Sequence, residues 1–187
     1  MAYSLSWLIS EYENLQKQDK NFDYLFFWGH KPTPDGSLSK TIFSQWWQKE
    51  FSVNEIIYPT AEHFMMAEKA RLFDDTATLE EILKAKSPNE AKKLGRKVQN
   101  FNDEIWKENR SKIVVEGNYH KFSDPEYKSF LIGTGTKIIV EASPMDTIWG
   151  IGLSQNSNKI YNPNTWRGLN LLGFALMEVR DRVRNDN

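Results

Sequence analysis

Tyr58-Pro-Thr-Ala-Glu-His-Phe-Met-Met-Ala-Glu-Lys-Ala-Arg-Leu-Phe73 is the stretch on which the reading of this chain turns. The residue before a proline avoids the helical region, so Tyr58-Pro59 is expected to be extended. Thr60 is a favoured N-cap, and His63 stands where a capping box would place Glu or Gln. From Ala61 onward the residues are good helix formers. At about 100° per residue, Leu72, Ala61 and Met65 share a direction, with Phe64 on one side and Phe73 and Met66 on the other. Glu62 and Lys69 lie inside this apolar arc, about two turns apart along the helix and about 20° apart in direction. Ions are costly to desolvate, so two charges aimed at one apolar place imply either a structural ion pair or a catalytic site. Glu68 falls in the arc too. His63 and Arg71 fall outside it and are expected on the solvated side.

The chain outside this segment bounds the chemistry. Its 187 residues suffice for one domain with a sizeable core, and 40% hydrophobic with 26% charged residues is ordinary for a soluble globular protein. With 24 basic and 25 acidic residues the formal net charge is -1, which leaves no general footprint for nucleic acid, though a local patch fits. There is no cysteine, which excludes disulfides, Cys-ligated metal and thiol catalysis. His30, His63 and His120 show no metal-ligand spacing, so neither a metal nor another cofactor is called for. The N-terminus carries Glu11 and Glu13 and no apolar core of signal length, and no run approaches membrane-spanning length; the expected compartment is the cytoplasm. Seven tryptophans are many for this length, and some are candidates to stack on a planar ligand.

In order, residues 3–18 carry Leu5, Leu8, Ile9, Tyr12 and Leu15 at helical spacing. Tyr24-Leu-Phe-Phe-Trp28, ended by Gly29, reads as a buried strand. Residues 31–40 form a loop. Ile42-Phe-Ser-Gln-Trp-Trp47 sets Ser44 and Gln45 beside two indoles, which suits a ligand wall or a half-buried strand. Residues 51–58 read as a strand pair turning at Asn54-Glu55. Thr78-Leu-Glu-Glu81 and Ser87-Pro-Asn-Glu90 are capping-box patterns, the second with Pro88 at the first helical position. Lys92, Lys93, Arg96 and Lys97 read as a solvated face. Asn102 caps a helix to about Tyr119, and Ser123-Asp-Pro-Glu126 opens another. Gly133-Thr-Gly-Thr136 is a turn, too short for a phosphate loop. The strand Lys137-Ile-Ile-Val-Glu141 leads into Asp146, Trp149, Gly150 and Gly152, where glycines permit close backbone approach. A last helix spans residues 168–183. No repeat or linker interrupts the chain.

These residues resemble a known pattern. Tyr58-Pro-Thr-Ala-Glu-His63 with Lys69-Ala70, Ser87-Pro88, Leu94-Gly-Arg96 and Trp106 are similar to the NADAR (YbiA-like) family of N-glycosidases. So are Phe43-Ser-Gln-Trp-Trp47, Lys121-Phe122, Thr134-Gly135, Glu141-Ala-Ser143, Asp146 with Trp149-Gly150, and Asn170-Leu-Leu-Gly173 with Leu176-Met177 and Val179-Arg180. The matches run in order from about Phe26 to Arg180; the segment 1–20 and the loop 31–40 match least. The resemblance implies a mostly helical α+β fold, one compact domain over residues 1–187 with a small β-sheet. It implies hydrolysis of an N-glycosidic bond in one of two substrate classes, the phosphoribosylamino intermediates of riboflavin synthesis or ADP-ribose on guanine of nucleic acid. The residues held important correspond to Glu62, Lys69, Trp106, Asp146 and Trp149. No membrane or obligate protein partner is implied.

The chemistry needs such residues. Cleaving an N-glycosidic bond builds positive charge on the sugar, and two carboxylates can divide the work of stabilising it, activating water and protonating the base. Glu62 and Asp146 are the candidates, their proximity being an implication of the resemblance. Lys69 completes the catalytic set, either electrostatically or, with a lowered pKa, as a Schiff-base amine. Trp106 and Trp149 offer aromatic walls, and with Gly150, Phe27, Gly29, Ser44, Gln45 and Trp46 they make the substrate-binding set. Two rivals stay open: a non-catalytic module binding ADP-ribose or an NAD derivative, and an interaction scaffold in which Glu62–Lys69 is structural.

Overall fold

A computed structural model of the chain describes residues 3–186. In chain order its elements are α1 (Leu5–Gln16), β1 (Tyr24–Phe27), a 3-10 turn (Lys40–Phe43), β2 (Phe51–Val53), β3 (Ile56–Tyr58) and α2 (Ala61–Leu72). There follow α3 (Thr76–Lys84), α4 (Pro88–Gly95), α5 (Asp103–Lys121), α6 (Pro125–Gly133), β4 (Ile138–Glu141), a second 3-10 turn (Pro163–Thr165) and α7 (Leu171–Asn185). The fold is mostly helical α+β, with two small two-stranded sheets. Two compact units divide the described chain: a middle unit, Gln45–Asp124, and a flanking unit made of the stretches before and after it. Among the described residues no helix is long and apolar enough to cross a membrane.

The middle unit is organised around α2. Thr60 is extended and its hydroxyl accepts the His63 N–H, so the cap works as its residue type predicts. The helix packs on α3, α4 and α5. Gly117 of α5 is the contact point with α2: a Cβ there would lie 2.5 Å from the Phe64 ring. β2 and β3 pair antiparallel with Phe51 opposite Tyr58, and Asn54 and Glu55 both take positive φ, the two-residue turn whose twist suits a hairpin. Phe51, Tyr58 and Phe64 form one aromatic cluster beneath it.

In the flanking unit, β1 and β4 pair in parallel with Tyr24 opposite Ile138 and Phe27 opposite Glu141. All but the last residue of β4 is buried, and α7 packs across it. Gly173 makes that approach possible, since a Cβ on it would fall 2.1 Å from the Ile139 carbonyl oxygen. The buried face of α7 includes Leu172, Leu176, Val179 and Val183.

Several expectations are corrected. His63 is 1% exposed, not solvated: Ala61 through Ala67 are all buried, so the first turns of α2 have no solvent side. A wheel assumes one buried face, and the first two turns of this helix are covered all round. Residues 42–47 are no strand but a 3-10 turn running into a bend, because Ser39 caps the turn instead of entering a ladder. Asp75, not the Thr78 capping box, opens α3; its carboxylate accepts from both Thr78 N–H and Gln99 N–H. In β1 only Phe27 is fully buried, and Trp28 is 54% exposed.

Candidate active site

In the middle unit Glu62 stands in the first turn of α2 and is 3% exposed. Its N–H donates to the Gln45 carbonyl at 3.0 Å, which ties the carboxylate's turn to the strand-leading segment. Gln45 is buried, and its Oε1 accepts from Asn118 Nδ2 at 2.8 Å. The sequence reading missed Asn118, although it shares the apolar face of α5 with Val114, where a carboxamide is out of place without a partner.

Among the described residues Lys69 forms no ion pair with Glu62. Its ammonium donates instead to the Gly95 carbonyl at 2.8 Å, the C-terminal end of α4, where the helix dipole favours a cation. It lies 4.2 Å from the centroid of Phe101 and 5.5 Å from that of Trp106. The ammonium is thus held by a carbonyl and two ring faces. Its half-burial lowers the pKa. On the neighbouring surface Lys92 lies 5.7 Å over the Trp46 ring, so Lys92 is less solvated than the rest of its basic run. The same unit buries Lys121 completely, and desolvation lowers its pKa to about 7. Its spacing of three from Asn118 and seven from Val114 puts it on the buried face of α5, the signal that would have found it.

In the flanking unit Asp146 organises a tight turn. Its Oδ1 accepts from Ile148 N–H at 2.8 Å, Trp149 N–H at 2.7 Å and Gly150 N–H at 3.4 Å. Gly150 is required by crowding: a Cβ there would lie 2.9 Å from Glu141 O and 3.1 Å from Asp146 O. Asn170, fully buried and left-handed at φ 52°, locks this turn to the strand. Its Oδ1 accepts from Glu141 N–H, its Nδ2 donates to Ile139 O, and its own N–H donates to Gly150 O. In the sequence Asn170 is one residue of the Asn170-Leu-Leu-Gly173 pattern, and nothing local announces this role. Phe27 is fully buried and packs edge-on against Phe43, Ser44 is half-buried at the end of the 3-10 turn, and Gly29 is exposed at φ 79°. The structure thus joins Gln45 to Glu62, Lys69 to Trp106, and Asp146 to Trp149 and Gly150.

The model of the NADAR domain matches residues 26–184. The chain belongs to the NADAR family. This NADAR protein is 43% identical over 164 residues to an N-glycosidase of Acanthamoeba polyphaga mimivirus, covering 84% of this chain and 95% of that one. It is 28% identical over 142 residues to the N-glycosidase YbiA of Shigella flexneri, covering 75% and 80%. Over 134 residues it is 32% identical to the chloroplastic riboflavin biosynthesis protein PYRR of Zea mays, covering 67% of this chain and 20% of that longer one. In fold it is similar to the NMR structure of the E. coli protein YbiA, with a TM-score of 0.68 at 23% identity over 89% of this chain and 88% of that one.

Proposed function

We propose that this NADAR protein hydrolyses the N-glycosidic bond of a ribosylated base, with Glu62 and Lys69 as the groups of the middle unit that do the chemistry. The N-glycosidase activity is that of its NADAR relatives. The observation that carries the residue assignment is Lys69. A half-buried ammonium with a lowered pKa, facing Phe101 and Trp106 and held among the described residues by one carbonyl, keeps N–H groups for a substrate. Such a cation binds a phosphate of the substrate; deprotonated, it adds to C1 of the ring-opened sugar and expels the base, leaving a Schiff base that water hydrolyses to free sugar and lysine. Glu62, anchored at a helix N-terminus in a buried place, suits stabilisation of an oxocarbenium ion or activation of water. Trp106 and Trp46 supply ring faces for a base or ribose. Within the flanking unit, Asp146 commits Oδ1 to three amides, which leaves Oδ2 as its oxygen for proton work, and the same turn sets Trp149.

Two substrate classes are proposed, ADP-ribose on guanine of nucleic acid and the phosphoribosylamino intermediates of riboflavin synthesis. The purified protein is incubated separately with guanine-ADP-ribosylated single-stranded DNA and with the phosphoribosylaminouracil compound, and products are followed by mass spectrometry. Free ADP-ribose with restored guanine selects the first class; ribose 5-phosphate from the second compound alone selects the other. Product from neither substrate, with thermal stabilisation by ADP-ribose, replaces the reading with a binding module.

A further inference from the structure

Away from the groups assigned to the reaction, the flanking unit contains a cavity of about 240 Å³ whose lining includes apolar Trp7, Phe22 and Met177 together with charged Arg180, Asp181 and Arg184. Its polar side is built from one face of α7. Arg180 and Arg184 are one helical turn apart, so both guanidiniums reach the same space.

Arg180 is the unusual group. It is 3% exposed. One of its terminal nitrogens donates to Thr134 Oγ1 at 3.0 Å and to the Lys137 carbonyl at 2.8 Å, while its Nε is buried with no hydrogen-bond partner among the described residues. Among the described residues no carboxylate lies within ion-pair distance of it. The neighbouring Asp181 is engaged elsewhere: its Oδ2 accepts from the Tyr3 hydroxyl, and its Oδ1 lies 3.9 Å from Arg184. Arg184 donates to the Gly135 carbonyl at 3.0 Å. The charges on the cavity are therefore two guanidiniums against one carboxylate. Burial disfavours the Arg180 cation most; the Asp181 carboxylate offsets part of that, and Arg184 repels it more weakly. A buried guanidinium with no carboxylate at bonding distance is costly, and an arriving anion offsets that cost with charge-assisted bonds. Thr136, from the Gly133-Thr-Gly-Thr136 turn, lines the same cavity.

The rest of the lining is largely apolar and aromatic, with Trp7 half-buried and set edge-on to Tyr3. An inorganic ion leaves that part of the lining unused. The volume is below that of pockets for drug-sized ligands, about 300–1,000 Å³, so a whole dinucleotide does not fit. We propose that this cavity is a second ligand site, taking a small phosphomonoester whose phosphate lies on Arg180 and Arg184 and whose apolar or planar part lies on Trp7. The assignment is independent of the reaction proposed above.

The test uses phenyl phosphate as probe, with inorganic phosphate and phenol as its two halves, in NMR titrations of the full chain. The Trp7 indole resonance is assigned by its loss in Trp7→Phe. Phenyl phosphate is expected to shift that resonance saturably and to bind at least tenfold tighter than either half. Arg184→Gln, at a residue exposed enough to leave folding intact, is expected to weaken the response tenfold or more. Lys69→Met is expected to leave it unchanged, which separates this cavity from any phosphate bound by the catalytic lysine. Phenol binding as well as phenyl phosphate, a response indifferent to Arg184→Gln, one lost in Lys69→Met, or no response at Trp7 would each overturn the proposal.

Discussion

Asn118 sets the orientation of Gln45. The Asn118 Nδ2 donates at 2.8 Å both to the Val114 carbonyl and to Gln45 Oε1. A backbone carbonyl can only accept, so the amide nitrogen of Asn118 must face it, and both of its hydrogens are then used. The atom of Gln45 that meets Asn118 must be its oxygen. Its Nε2 is turned the other way, as a donor on the segment whose carbonyl holds the Glu62 N–H.

Reversing that relationship is therefore informative. Asn118→Asp offers an acceptor where a donor stood, and Gln45 must flip to satisfy it. We expect kcat/KM to fall about tenfold, equivalent to about 1.4 kcal/mol. Asn118→Leu leaves Gln45 Oε1 without its bond and costs about 1–3 kcal/mol of stability. If Gln45 serves only packing, Asn118→Asp will move the melting temperature and leave kcat/KM per folded enzyme unchanged.

Lys69 distinguishes two chemistries by substitution. Lys69→Met keeps the stem against Phe101 and Trp106 and removes the charge, and a loss in kcat of at least about a hundredfold is expected. Lys69→Arg restores charge but not a nucleophilic amine. Partial rescue by Lys69→Arg indicates an electrostatic part; no rescue, together with a borohydride-trapped adduct in the wild type, indicates a Schiff base.

His63 makes stability depend on pH. Its Nδ1 lies 2.7 Å from Thr60 Oγ1 and its Nε2 3.1 Å from Ala85 O, a pairing that suits the neutral ring with its proton on Nε2. Burial lowers its pKa, against opposing pulls from the Ala85 carbonyl and Glu90. With the folded pKa below the unfolded value of about 6.5, the unfolded chain binds more protons, so stability is complete above that value. It is lost as pH falls from about 6.5 through the depressed folded pKa. Denaturant midpoints at pH 7.5, 6 and 5 should decline in the wild type and decline less in His63→Gln. Equal slopes would remove His63 from the account.

Gly173 tests the packing of α7 on β4. Gly173→Ala places a Cβ 2.1 Å from Ile139 O and 2.5 Å from Asn170 Nδ2, and the backbone atom cannot swing aside. A stability loss of about 1–3 kcal/mol is expected in chemical denaturation, larger than the helix propensity gained. Because Asn170 also holds Glu141 and Gly150, activity should fall with it. A neutral or stabilising result would mean that α7 shifts freely on the strand.

Much of this was legible in the sequence because it is local. Thr60, Ser87 and Asn102 cap the helices their residue types announce, since a cap needs only a short side chain and the amide two or three residues on. The Asn54-Glu55 turn and the parallel strand's hydrophobic run are local in the same sense. The ordered motif set placed the chain in its family, because family motifs are read as residue types at fixed spacing.

What depends on contacts distant in sequence was decided only by the tertiary structure. The burial of His63 follows from Ala85, twenty-two residues on, and the partner of Lys69 is Gly95 instead of Glu62. The register of Gln45 is set by Asn118, seventy-three residues away. Helical spacing gives the direction a side chain leaves its helix, and for Glu62 and Lys69 that direction is shared. Two turns of rise still separate them, about 10 Å, and at that distance each charge takes the partner that packing brings to it.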